Sequence, residues 1–62
     1  MKYRFILKNS HGDAIDCSDV YDVDGARWVA VTKEMNKTML NWLSQEDITL
    51  MVGDSIAIVE VE

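Results

Sequence analysis

The chain reads as a small α+β protein of order β-β-α-β-β, a mainly antiparallel sheet with one amphipathic helix packed on one face. Three patterns predict this. Residues 2–8 alternate in polarity with a period of two. A helical apolar stripe runs from Ala26 to Ser44, and β-rich runs flank Gly53-Asp54 near the C-terminus.

In the first segment Tyr3, Phe5 and Leu7 fall on one face and Lys2, Arg4, Ile6 and Lys8 on the other, the pattern of a half-buried strand. Asn9-Ser10-His11-Gly12-Asp13 consists of turn formers. Ala14-Ile15-Asp16-Cys17-Ser18 alternates again and is expected to return as a second strand, with Ile15 and Cys17 inward.

Asp22 and Asp24 both suit a helix N-cap, so Gly25 and Ala26 would open a helix reaching about Ser44. At about 100° per residue, Trp28, Val31, Met35, Met39, Trp42 and Leu43 share one arc, which Val29 and Leu40 widen to a half-cylinder. Arg27, Lys33, Glu34, Lys37, Thr38 and Asn41 take the opposite side, and only Asn36 intrudes on the stripe. The β-branched cluster at 29–32 would suit a strand, but the stripe continues across it unbroken. Glu46 and Asp47 fit a helix C-terminus poorly and mark its end.

Two strands, about 48–52 and 55–61, would then form a hairpin around Gly53-Asp54. The second begins Ile56-Ala57-Ile58-Val59, apolar on both faces, which marks it for a central position or a subunit contact.

Sixty-two residues make a single domain, 1–62, that buries only about 60% of its unfolded surface. Chains of this size usually add disulfides, a metal or oligomerisation. The single Cys17 forms no internal disulfide, and a lone cysteine suits a reducing cytoplasm. Apolar residues at 48% and charged residues at 27% exclude a disordered chain. No apolar run approaches the length of a membrane span, and the first eight residues read as a strand and not as a signal peptide. A net charge of −5 argues against direct binding of nucleic acid and favours basic protein partners.

Three constellations invite a chemical reading. Asp22-Val23-Asp24-Gly25 matches the middle of a calcium loop, but the first and last ligand positions fall on Val20 and Val31, which cannot ligate. His11 and Cys17 are two soft ligands where a tetrahedral zinc site needs four. Ser10 and His11 with any aspartate supply the letters of a triad without an oxyanion hole or a pocket. No metal, cofactor or catalytic residue is therefore expected.

What remains is surface. Trp28 and Trp42, fourteen residues apart, lie on one side of the helix with Met35 and Met39 between them. Most of this stripe is expected to be core, packed on Tyr3, Phe5 and Ile48, with an edge tryptophan free to serve a partner as well. The expected function is thus a non-enzymatic protein-interaction module, cytoplasmic, binding another protein or, most simply, itself as a homodimer. Its candidate contacts are Ile56, Ile58, Val59, Trp28 and Trp42. The competing reading is an acidic decoy of the kind found in phages, occupying another protein's nucleic-acid site. Asp13, Asp16, Asp19 and Asp22 would be its phosphate-like face.

Overall fold

The alternation in residues 2–8 becomes the centre of the molecule. In the computed structural model, which describes residues 1–24 and 28–61 and only the backbone of residues 28–30, that segment is strand β1, Lys2–Lys8. It is followed by β2 (Ala14–Cys17), β3 (Tyr21–Asp22), helix α1 (Trp28–Gln45) and β4 (Ser55–Val61). Among the described residues there is one helix and one open four-stranded sheet, a small α+β fold.

Every pairing in the sheet runs through β1. β4 lies antiparallel along one side of it from Lys2↔Val61 to Lys8↔Ser55, without a register break. The other side is shared by two short strands, β3 against Lys2 and Tyr3 and β2 against Ile6 to Lys8. The central strand is therefore β1, and β4 is an edge. Its four-residue apolar run reflects incomplete cover on both faces and not a central position.

The odd residues of β1 build the core. Tyr3, Phe5 and Leu7 are buried together with Val23, Met35 and Trp42, and Tyr21, Val31, Met39, Leu43, Ile48 and Ile56 pack partly buried against them. The Phe5 ring stacks on Trp42 with centroids 5.7 Å apart, and Tyr3 meets it edge-on at 5.4 Å. Met35 and Trp42 confirm the helical stripe as core. Leu40, placed at its margin from periodicity, is instead 63% exposed. The expected opening of the helix at Gly25 and Ala26 lies outside the described residues.

Two expectations are overturned. Residues 48–52 form no strand, because the path of the chain leaving the helix is set by the helix cap. Ile48 N–H donates to the Leu43 carbonyl at 3.0 Å and Asp47 N–H to the Ser44 carbonyl at 3.3 Å, a Schellman closure. Ile48 and Leu43, the positions that make the accompanying apolar contact in this motif, both pack on the core. Leu50 and Val52 stay exposed, and the chain then reverses in a turn where Asp54 N–H donates to the Met51 carbonyl at 3.0 Å. Gly53 sits there at φ +93°, and a Cβ on it would stand 2.8 Å from Ser10 Cβ of the β1–β2 turn. Only glycine combines that dihedral with that approach.

The second correction concerns β2. Ile15 and Cys17 are both exposed, since a register shift between Leu7 and Lys8 leaves Ile15 unpaired and sets Cys17 opposite Ile6, away from the core. Ser18 does the inward work. Its Oγ accepts from Phe5 N–H at 2.8 Å and donates to the Asp19 carbonyl at 2.8 Å, while its own N–H donates to the Phe5 carbonyl at 2.9 Å.

Asp47 ends the helix at φ +51°, a left-handed conformation that favours glycine. It also places a carboxylate at the negative end of the helix dipole. We therefore expect Asp47→Gly to stabilise the protein by about 1 kcal/mol, read as a higher urea midpoint at unchanged slope. A lower midpoint would mean that the Asp47 side chain contributes an interaction that outweighs its strain.

Candidate functional site

The fold leaves apolar side chains open at Leu40, at Leu50, Met51 and Val52, and at Ile58 and Val59 of β4, and strand parity shows what β4 offers. Residues directly opposite one another share a face. Leu7↔Ile56, Phe5↔Ile58 and Tyr3↔Glu60 thus form the core face, and Lys8↔Ser55, Ile6↔Ala57, Arg4↔Val59 and Lys2↔Val61 form the open face. Ile56 reaches the core cluster, but Ile58, next to a fully buried Phe5, is 50% exposed. On the open face Val59 is 38% exposed. The candidate contacts Ile56, Ile58 and Val59 are therefore brought together on one strand, with Ile56 partly used by the core.

The backbone of β4 follows the same parity. Phe5 directs its N–H and carbonyl toward Ser18, on the β2 side. Alternation then turns Arg4 and Ile6 toward β4, where Val59 and Ala57 face them. It follows that the N–H and C=O groups of Ile56, Ile58 and Glu60 point away from the sheet. No described element pairs with that side.

The two tryptophans separate. Trp42 is buried at 4% exposure and stacked on Phe5, so it belongs to the core and not to a docking surface. The side chain of Trp28 lies outside the described residues. Trp42 also borders a cleft of about 220 Å³ with Glu34, Lys37, Thr38 and Asn41 of the helix and Tyr21 of β3, a lining of mixed polarity.

On the open face, Lys2, Arg4 and Lys8 stand in a row along β1. Arg4 Nη1 donates to Cys17 Sγ at 3.3 Å, and its buried Nε has no hydrogen-bond partner among the described residues. Cys17 is exposed, as is His11. Among the described residues no three His, Cys, Asp or Glu side chains gather where a metal ion would sit, and no helix is long and apolar enough to cross a membrane.

Asp13, Asp16, Asp19 and Asp22 are all exposed in the segment that forms the opposite edge. They do not act alike. Asp16 accepts from Cys17 N–H at 2.7 Å, and Asp22 pairs with the N-terminal ammonium at 3.3 Å.

Sequence reasoning missed Tyr21 and Ser18. Tyr21 lies 5.9 Å from both the Tyr3 and Phe5 rings and anchors β3. The signal for it was present in Tyr21-Asp22-Val23, an alternating pair of bulky residues around a polar one, where Asp22 was read as a cap.

Burial, and then the charges of Asp19, Tyr3 and Glu46, push the Tyr21 phenol above its usual range near 10. The neutral phenol thus contributes stability that is present below about pH 10 and lost as pH rises through the folded value. Denaturant titrations should show Tyr21→Phe losing less stability than the parent between about pH 9 and 11. Parallel losses would show that the phenol is not the group responsible.

No family model, curated protein or solved structure matches this chain.

Proposed function

We propose that this protein is a non-enzymatic protein-interaction module that acts by self-association, most simply as a homodimer. One observation carries the reading: an unbroken seven-residue edge strand that exposes Ile58 and Val59 beside a row of unpaired backbone groups. Such an edge is a template for pairing unless it is blunted by proline, lysine or a bulge. β4 has none of these within Ser55–Val61. The small core supports the same reading, since a second chain adds the buried apolar area that 62 residues supply sparingly. An exposed lone Cys17 fits a reducing, cytoplasmic setting.

The acidic-decoy reading draws on the exposure of Asp13, Asp16, Asp19 and Asp22. It is the weaker of the two. Exposed carboxylates are content in water, whereas half-exposed isoleucine and an unpaired ladder favour association.

Light scattering at micromolar concentration should give a mass near twice 7.1 kDa. Ile58→Lys should return a folded monomer, because an isologous pair would set the two introduced ammonium groups against each other and draw them from water. A parent protein that stays monomeric at ~100 μM, where weak association is still populated, removes the homodimer.

The decoy is tested on the partner captured from the native host. Neutralising Asp13, Asp16, Asp19 and Asp22 together should leave its binding intact, with weak dependence on salt. Ile58→Ala should weaken it about 30-fold, the equivalent of roughly 2 kcal/mol at an interface anchor. The reverse pattern, loss on quadruple Asp→Asn with retention on Ile58→Ala, decides for the decoy.

A further inference from the structure

Resting on the self-association just proposed, we infer that two copies join through β4 in an antiparallel pair centred on Ile58, making one continuous sheet across a two-fold axis. Three features of the strand select this arrangement.

The first is the direction of the backbone. Ile56, Ile58 and Glu60 turn their N–H and C=O groups to the free side, as the parity set by Phe5 and Ser18 requires. With Ile58 opposite the partner's Ile58, Ile56 falls opposite the partner's Glu60 and Glu60 opposite the partner's Ile56. Each of these three pairs exchanges two hydrogen bonds, so all outward groups on both strands are satisfied.

The second is self-complementarity of the side chains. On the core face the two half-exposed Ile58 side chains cover each other at the axis. On the open face Val59 lies beside the partner's Ala57, and Ala57 beside the partner's Val59. Glu60 meets isoleucine and no carboxylate. Centring the pair on Glu60 would oppose two glutamates, and centring it on Ala57 would leave Glu60 outside the paired part of Ser55–Val61. Any shift also shortens the seven-residue overlap of Ser55–Val61. Beyond the strand, the Asp54 carboxylate is held in its own turn by Met51 N–H at 2.9 Å.

The third is room. Trp42 of the helix stands against Phe5 of β1, and the two β1 strands would lie three strand spacings apart, about 14 Å. A helix with its side chains is about 10–12 Å across, so two helices fit on the same face. The opposite edge of the sheet offers no equivalent. It is divided between β2 and β3, interrupted at Ile15 and lined with aspartates.

The test uses the full chain with Cys17→Ser. Adding Ile58→Cys should give a disulfide-linked dimer on mild oxidation, because directly opposite residues of a hydrogen-bonded pair have Cα atoms about 5.5 Å apart, within disulfide range. Ile56→Cys or Glu60→Cys alone should not cross-link, each being four residues out of register with its copy. The two together should. Independently, Ile58→Pro should fold and lose the dimer mass, since its N–H serves only the free edge. Ala57→Pro should unfold, since its N–H serves β1. A parent protein of dimer mass in which Ile58→Cys fails to cross-link, or Ile58→Pro remains dimeric, overturns the register and leaves the dimer standing. A parent of monomer mass overturns both. If Ile58→Pro does not fold, the parity is wrong and the arrangement falls with it.

Discussion

Phe5 is the residue on which the rest of the structure depends. Its ring is fully buried and touches an aromatic neighbour from every side that closes on it: Trp42 stacked, Tyr3 edge-on and Tyr21 tilted. Its backbone is held as tightly, with N–H and carbonyl both engaged by Ser18. The ring brings helix and sheet together through Trp42, and the backbone fixes which way β1 presents its hydrogen-bonding groups. Removing such a ring typically costs about 3–5 kcal/mol, a large part of the stability available to a domain this small. The parity set at Phe5 passes through Arg4 and Ile6 to β4 and decides which of its groups are left free. Core and candidate surface are thus two consequences of one residue's placement.

The sheet's two edges follow different physical rules. On the β2–β3 side the pairing is short, a register shift interrupts it, and carboxylates flank it. These are the devices by which sheets avoid pairing with other chains. On the β4 side the ladder is regular over seven residues and carries one charge, at Glu60. The described core is also lopsided. Tyr21 and Val23 join it from the β3 side, whereas β4 sends in only Ile56. Ile58 is left half exposed on the core face although it stands opposite the fully buried Phe5.

Legibility in the sequence divided along the same lines. β1 and the helical stripe were readable because local periodicity and final burial agree: Tyr3, Phe5 and Leu7 face the core, as do Met35 and Trp42. The 48–52 strand was not, because propensity says what a segment tolerates and not which partner is free. Leu50-Met51-Val52 suits a strand, yet the cap that closes on Ile48 and the turn closed by Asp54 N–H on the Met51 carbonyl set the path of the chain between them. Ile15 and Cys17 alternate correctly but with inverted sense, since one unpaired residue reverses every side chain beyond it. Ser18 carried no signal at all. A serine after a strand looks like the start of a loop until the N–H it satisfies is known.

The surface contacts Ile58 and Val59 were legible for a different reason. A run of four apolar residues says that both faces of a strand resist water, but a chain of 62 residues has one helix with which to cover them. Periodicity alone left open whether the run would be central or at an interface. The topology resolves half of that choice by placing β1 in the centre. With β4 at an edge, Ile56 still reaches the core, whereas Ile58 and Val59 stay exposed. Val59 faces the open side beside Arg4, whose buried Nε lacks a partner among the described residues, and Ile58 on the core face is half exposed. On the proposed reading, a second copy of the strand covers the residues that the monomer neither buries nor replaces with polar groups.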